Sequence, residues 1–119
     1  HFISGMAQGI DLIFAETVIQ FKEHYDLNIK LECVLPCRNQ TDKWNNNDIQ
    51  RYNAILAKAD IITVISEVYN EKCMMERNIY MVDHSNTVLG FWNGEKHSGT
   101  WNTIRYAQLM NKDIDIVRI

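Results

Sequence analysis

Ser4-Gly5-Met6-Ala7-Gln8-Gly9-Ile10-Asp11 is the stretch that decides the fold of this chain. A short strand-like segment, residues 1–4, precedes the turn, and apolar residues recur at helical spacing from residue 10 to about residue 24. Gly5 and Gly9 permit a tight turn, and a helix start offers free backbone N–H groups and the positive end of its dipole. The stretch therefore predicts a strand, a turn able to hold a phosphate-like anion, and a helix.

The rest of the chain repeats the alternation of strand and helix. Further strands are predicted at residues 29–36, 61–66, 87–92 and 114–119, and further helices at residues 47–58, 72–84 and 100–111. Pro36 is predicted to end the second strand because proline cannot donate to a ladder. Asn47 or Asp48 is predicted to cap the second helix. The order predicts an α/β fold, a Rossmann-like three-layer sandwich with a mostly parallel sheet.

Length and composition restrict the possible classes of protein. The 119 residues favour one domain over residues 1–119, and no apolar run is long enough to span a membrane. A formal charge of −3 and a pI near 5.7 disfavour nucleic acid as a partner, since nucleic-acid binders usually present a basic surface. The three cysteines, an odd number without paired spacing, are typical of a reduced cytoplasmic protein.

A second glycine turn lies between a strand and a helix at His97-Ser98-Gly99-Thr100, where Ser98 and Thr100 add hydroxyl donors. In open α/β sheets ligands bind beyond the carboxyl ends of the strands, so two such turns on one edge would form a two-sided anion cradle. The alternative is that these glycines serve only the geometry of the turns.

No metal site and no resident cofactor is predicted. Cys33 and Cys37 are not spaced as a zinc knuckle, and His84 and His97 have no partner pattern. Neither glycine turn matches G-x-G-x-x-G or G-x-x-x-x-G-K-[ST]. A standard NAD enzyme and a P-loop NTPase are therefore disfavoured.

The opening stretch closely resembles the S-G-x-A-x-G-[IV]-[DE] segment of the Smf/DprA and LOG superfamily, often called SLOG. Nearly the whole chain resembles the uncharacterised YpsA/YoqJ-like branch, with the matching pieces in order. These pieces are Leu35-Pro36, Asn39-Gln40, Trp44, Arg51-Tyr52, Lys58-Ala59-Asp60, Arg77-Asn78, Met81-Val82-Asp83, Gly99-Thr100 and Thr103-Ile104-Arg105-Tyr106-Ala107. The resemblance implies a Rossmann-like fold with a pocket for nucleotides, nucleotide sugars or related signals.

The resemblance also implies a strand and a helix ahead of His1. In relatives that strand lies in the middle of the sheet, so its absence would leave two half-sheets and an uncovered apolar surface. We expect roughly 50 to 60 further residues upstream, the length of a βα unit with its loops. Relatives often pair through helices, so a homo-oligomer is a further expectation.

The resemblance to LOG proteins raises the question of catalysis. LOG proteins are phosphoribohydrolases, and their motif is an Arg followed later by P-G-G-x-G-T-x-x-E. Arg77 matches the Arg and Gly99-Thr100 match G-T, but Thr103 stands where the Glu would be. Glycosidic cleavage usually needs carboxylates, and threonine cannot supply that charge. The candidates for catalysis are Asp11 and Arg77, and the expected role of the chain moves toward binding.

Three candidate residues have an alternative, purely structural explanation. Asp11 is expected to bind ribose hydroxyls, or else to be a first-turn acid favoured by the helix dipole. Arg77 is expected to hold a phosphate, or else to be an exposed helix arginine bridging a nearby carboxylate. Trp44 is expected to stack on a base or close a lid, or else to plug its loop onto the core. The full predicted ligand-binding set is Ser4, Gly5, Met6, Gly9, Asp11, Pro36, Trp44, Arg77, Ser98, Gly99 and Thr100.

Three functions stay open on this basis. The first is a sensor or binding module for a nucleotide-derived, phosphate- or ribose-bearing small molecule. The second is a phosphoribohydrolase or N-glycosidase acting on nucleoside monophosphates. The third is DprA-like binding of single-stranded DNA, which the acidic charge disfavours.

Overall fold

The computed structural model describes all residues, 1–119, as an α/β fold in which strands and helices alternate. Its elements are β1 (Phe2–Ser4), α1 (Ile10–His24), β2 (Leu31–Cys37), α2 (Asn46–Lys58), β3 (Ile61–Ser66), α3 (Cys73–Asp83), β4 (Thr87–Trp92), α4 (Gly99–Leu109) and β5 (Asp113–Arg118). The α/β prediction is confirmed, with every element in the predicted order. No helix has both the length and the apolar character needed to cross a membrane.

All strand pairs are parallel, and they form two sheets. One sheet has the order β1-β2-β3, and the other contains β4 and β5. The chain divides into two compact units, His1–Cys73 and Met74–Ile119, with one sheet in each. The predicted parallel pairing is confirmed, whereas the prediction of a single domain stays a prediction.

The core of the first unit lies on one face of β2. Side chains alternate between the two faces of a strand, so Leu31, Cys33 and Leu35 share a face. Residues from α1 and α2 pack on it, each buried aliphatic side chain contributing about 1.5–3 kcal/mol of transfer free energy. The buried cluster consists of Met6, Leu12, Ala15, Val18, Leu31, Cys33, Leu35, Tyr52 and Ile55. This packing fixes the start of α1, and with it the turn that precedes α1.

In the second unit, α4 packs on the β4–β5 pair. Its Ile104 and Ala107 are buried, and a Cβ built on Gly90 of β4 would lie 3.6 Å from the Ile104 side chain. The rings of Trp92 and Trp101 stack with centroids 4.9 Å apart, which ties the end of β4 to the first turn of α4. The loop between these two elements therefore has anchored ends.

The prediction that Pro36 ends the second strand is wrong, because β2 continues to Cys37, which pairs with Ser66. Pairing of β1 with β2 stops at Ser4 and Cys33. Beyond Cys33, β3 is the only partner that β2 has in this sheet, so a residue without an N–H is tolerated there.

The cap of α2 also differs from the prediction. The N-cap is Asn45, and neither Asn47 nor Asp48: its Oδ1 accepts the N–H of Asp48, the third residue of α2, at 2.8 Å. Asp48 lies in the first turn instead, where its charge favours the helix dipole.

Candidate functional site

The turn between β1 and α1 is held from within by Ser4. This side chain is buried, and its hydroxyl donates to the Asp11 carbonyl at 2.9 Å and accepts the Met6 N–H at 3.3 Å. Met6 and Gly9 both have positive φ values, 60° and 84°, so the backbone reverses direction twice within the turn. Gly9 is required here because its φ lies in a region that side-chain-bearing residues rarely adopt. Ser4, Met6 and Gly9 thus shape the turn that the sequence predicted.

Asp11 closes the turn with its carboxylate. Its Oδ2 accepts the N–H of Ala7 at 3.1 Å, and the residue is half-buried. In a phosphate-binding loop the Ala7 N–H would be available to the ligand, whereas here it is already bound to the Asp11 carboxylate. Only Oδ2 takes part in this bond, so the negative group at the turn can also accept a hydrogen bond from a ligand hydroxyl.

Two glutamines connect the turn to its surroundings. Gln40, from the loop after β2, donates through Nε2 to the Met6 carbonyl at 3.1 Å. Gln8 donates through Nε2 to Asp48 Oδ2 in the first turn of α2 at 2.8 Å. The turn is thus held by the loop that follows β2 and by α2. The sequence placed Gln8 inside the predicted turn, but neither glutamine is in the predicted ligand-binding set. Asn39-Gln40 had appeared only as part of the family resemblance.

An ion-pair network joins α2 to α1 beside the turn. Arg51 donates through Nε and Nη2 to the two Glu16 oxygens at 3.0 and 2.6 Å, and through Nη1 to Asp48 at 3.3 Å. The hydrogen bonds from Arg51 hold the pKa of Glu16 below its usual range. Those from Gln8, with contributions from Asn45 and Arg51, lower the pKa of Asp48. The groups around the turn are therefore charged and mutually paired at neutral pH.

Trp44 packs its loop onto the core. It is half-buried against the core cluster, and its ring meets that of Tyr52 edge-on with centroids 5.4 Å apart. The packing alternative for Trp44 is therefore present in the structure, and its contact with a ligand stays a prediction. Pro36, also expected to contact ligand, is buried within β2.

Tyr52 carries an unusual polar atom beneath this loop. Its hydroxyl is buried and makes no hydrogen bond of acceptable geometry, although the Gln40 amide is close by. Burial is the main cause that raises the pKa of Tyr52. The phenol therefore stays neutral, and its ring supports the loop that carries Gln40 and Trp44.

The second glycine turn caps α4. Ser98 accepts the Trp101 N–H at 3.1 Å and donates to the Glu95 carbonyl at 3.0 Å, so its hydroxyl is used inside the chain. Gly99 is the first residue of α4, one position before the predicted start, and a Cβ built on it meets nothing within 4 Å. Neither a positive φ nor close packing explains why this residue is a glycine, and the space that a Cβ on Gly99 would occupy is open.

Arg77 and Thr103 differ from the simplest sequence interpretations. Arg77 is buried, with 6% of its surface exposed, and its Nε donates to Asn78 Oδ1 at 2.7 Å. The expectation that Arg77 is an exposed helix residue is therefore wrong, whereas its pairing with a nearby carboxylate stays a prediction. Thr103 donates through Oγ1 to the Gly99 carbonyl at 2.8 Å, so it buttresses the turn.

The structure distributes the predicted set over both units. Ser4, Gly5, Met6, Gly9, Asp11, Pro36 and Trp44 belong to the first unit, and Arg77, Ser98, Gly99 and Thr100 belong to the second. Ser4, Met6 and Asp11 are brought together by direct hydrogen bonds. The two-sided cradle stays a prediction.

A cleft of about 390 Å³ lies at the other edge of the first sheet. Leu31, the first residue of β2, and the carboxyl-terminal part of α1 line it. Four of its charged groups form two ion pairs, Lys22 with Asp60 at 2.7 Å and Lys58 with Glu23 at 2.8 Å. Since ligands of α/β sheets bind at the carboxyl edge, the turn at Ser4–Asp11 is the better candidate.

Comparison with known proteins identifies a family. The family model YpsA, described as the YspA SLOG family, matches residues 1–118. The chain is 30% identical over 120 residues to the uncharacterised SPbeta prophage-derived protein YoqJ of Bacillus subtilis, covering 91% of this chain and 69% of that protein. It is 28% identical over 117 residues to a UPF0398 protein of Macrococcus caseolyticus, covering 93% and 63%.

A UPF0398 protein of Bacillus pumilus is also similar, 28% identical over 100 residues, covering 82% of this chain and 52% of that protein. The chain thus spans between about half and about two thirds of the length of these relatives.

Proposed function

This chain belongs to the YspA SLOG family, and from that membership we propose that it binds a nucleotide or nucleotide-derived ligand that carries ribose and phosphate. The turn from Ser4 to Asp11 is the proposed contact surface. Arg77, Ser98, Gly99 and Thr100 stay sequence-based predictions of phosphate contacts.

The observation that carries the proposal is the position of the Asp11 carboxylate. It lies at the carboxyl end of β1, half-buried and held by the Ala7 N–H at 3.1 Å. Ligands of parallel sheets bind at this edge. A fixed carboxylate accepts hydrogen bonds from vicinal hydroxyls and repels a phosphate, so the ribose is the part of the ligand that fits here.

Thr103 occupies the position of the family's glutamate, which favours binding without turnover over glycosidic cleavage. Its hydroxyl is engaged with the Gly99 carbonyl, and a threonine cannot supply the charge of the family's glutamate. Asp11 is likewise engaged in holding its turn. The chain is therefore proposed as a ligand-binding or sensor module, with phosphoribohydrolase activity as the alternative outcome of the test.

The test is calorimetric titration with a panel containing ribose, nucleosides, nucleoside monophosphates, nucleotide sugars and inorganic phosphate. We expect binding of at least one ribose-bearing phosphate, and weakening by tenfold or more in Asp11→Asn, since about 1.4 kcal/mol corresponds to a factor of ten. The matched control is Asp26→Asn. Asp26 has a φ of 50°, which Asn tolerates, and its substitution removes the same charge outside the turn.

The same samples are analysed for free base by chromatography. Release of base from a monophosphate, lost in Asp11→Asn, would replace the binding-module proposal with the hydrolase. No response to any member of the panel would refute both.

A further inference from the structure

Cys37 and Cys73 lie in contact at the carboxyl edge of the first sheet, although they are far apart in the sequence. Cys37 ends β2 and pairs with Ser66, the last residue of β3. Asn70 donates through Nδ2 to Ser66 Oγ at 3.2 Å, and its carbonyl accepts from the Cys73 thiol, also at 3.2 Å. Both cysteines are fully buried, and the Cys73 thiol lies near enough to Cys37 to raise the pKa of the Cys37 thiol, after the larger effect of burial.

One loop covers this pair. Residues 67–72, between β3 and α3, are all exposed. Two contacts attach them to the residues that follow Cys37: Asn39 Oδ1 accepts the Tyr69 N–H at 3.1 Å, and Arg38 Nε donates to Glu67 Oε2 at 2.8 Å. Opening of this loop is therefore the event that exposes both thiols to a small reagent.

We propose that Cys37 and Cys73 form a reversible disulfide when the protein meets a small-molecule disulfide such as oxidised glutathione. The thiolate of one cysteine attacks the reagent, forms a mixed disulfide and releases one small thiol. The thiolate of the other cysteine then attacks the mixed disulfide, forms the protein S–S bond and releases the second small thiol. The protein thiols lose two protons and two electrons, and the reagent gains them.

The link would join the two loops at this edge covalently. It closes a ring of residues 37–73 and fixes the start of α3 to the end of β2, from which the loop to Gln40 and Trp44 leaves. The oxidised protein thus has a restrained loop beside the Ser4–Asp11 turn. The inference stands on the thiol pair and does not depend on which ligand the turn binds.

Cys33 provides an internal control. It is buried in the core, and burial, with a smaller effect of Glu32, raises its pKa to about 12. Since the thiolate is the nucleophile, Cys33 is inert at neutral pH. Burial, followed by the neighbouring Cys73 thiol, also raises the pKa of Cys37, so linkage is expected to accelerate as the pH rises.

The experiment treats the folded, reduced chain with oxidised glutathione at neutral and mildly alkaline pH, blocks the remaining thiols, and digests with trypsin. Cys33 and Cys37 share the peptide of residues 31–38, and Cys73 lies on that of residues 73–77. We expect these two peptides to be linked in the wild type and in Cys33→Ala. The link should disappear with dithiothreitol and should be missing in Cys37→Ala and Cys73→Ala.

Three results would overturn the proposal. They are mixed disulfides that never resolve into a link, a bond within the 31–38 peptide between Cys33 and Cys37, and thiols that stay unreacted at every pH. Each variant is compared with the wild type by circular dichroism. The loss of linkage supports the proposal when it is seen in at least one of Cys37→Ala and Cys73→Ala whose circular dichroism spectrum is native.

Discussion

Two glycines of the predicted ligand-binding set, Gly9 and Gly99, are predicted to respond to alanine with opposite signs. A Cβ at Gly9 or at Gly99 would meet nothing within 4 Å, so no steric clash distinguishes them. Backbone conformation does, because Gly9 has φ 84° and ψ −125°, whereas Gly99 begins an α-helix without a positive φ. Comparing Gly9→Ala with Gly99→Ala therefore measures the effect of backbone strain without a contribution from steric clashes.

The magnitudes follow from these conformations. Gly9→Ala forces a side-chain-bearing residue into a region that costs about 1–3 kcal/mol. Gly99→Ala reduces the conformational freedom of the unfolded chain at a compatible position and stabilises by about 0.4–1 kcal/mol. The free energies of unfolding of the two variants should therefore differ by about 1.5–4 kcal/mol, the sum of these two effects.

Urea unfolding followed by circular dichroism measures this difference as a shift of the midpoint at constant slope. Equal midpoints for Gly9→Ala and the wild type would refute the strain argument. Destabilisation by Gly99→Ala would show that α4 needs its glycine for folding. With a stable Gly99→Ala in hand, weaker binding of the panel's phosphate ligand than in the wild type would identify the open space as a ligand contact.

Three further predictions concern the polar groups that hold the first unit. Arg51 lowers the pKa of Glu16, so the pair stabilises the fold above the ordinary glutamate pKa, and this stabilisation is lost as the pH falls through the lowered pKa. When the free energy of unfolding is measured against pH, Glu16→Gln should therefore lose less stability toward acid than the wild type. Tyr52→Phe should leave the free energy of unfolding in urea unchanged or raise it by up to about 1–3 kcal/mol, because it removes an unsatisfied buried hydroxyl. A clear loss of stability would show that the hydroxyl has a hydrogen-bond partner. Asp60→Ala should lower the thermal midpoint, since the Asp60 carboxylate accepts the Leu31 N–H at 2.9 Å, and Asp60→Asn should melt between Asp60→Ala and the wild type.

Sequence pattern predicted the elements well where local rules decide them. The bounds of α1, β3 and β4 agree with the prediction, because helical spacing and a β-branched run are properties of neighbouring residues. The prediction that Pro36 ends β2 is wrong because a strand can contain a proline where one of its two edges has no partner strand. That depends on where β1 ends relative to β2, which is a tertiary property.

The thiol pair shows the same limit more sharply. Nothing in the spacing of Cys37 and Cys73 suggested a contact, and the odd number of cysteines favoured a reduced protein over a disulfide scaffold. The contact arises because β3 lies beside β2 in parallel, so that Ser66 pairs with Cys37, and the loop from Ser66 turns back through Asn70. Only the strand order and the loop hydrogen bonds together bring the sulfurs into contact.

For the candidate site, the sequence indicated a glycine turn between a strand and a helix but could not tell which of the backbone donors in that turn are free. An acid after a glycine turn fits a ribose-binding group and equally a first-turn helix residue. In the structure one carboxylate can do both, because the positive φ of Met6 places the Ala7 N–H within 3.1 Å of Asp11 Oδ2. A phosphate approaching Ala7 would have to displace this carboxylate against its charge, whereas a hydroxyl can bind to it as it stands. The proposed placement of ribose at this turn therefore depends on the conformation of the turn, which the sequence permits but does not specify.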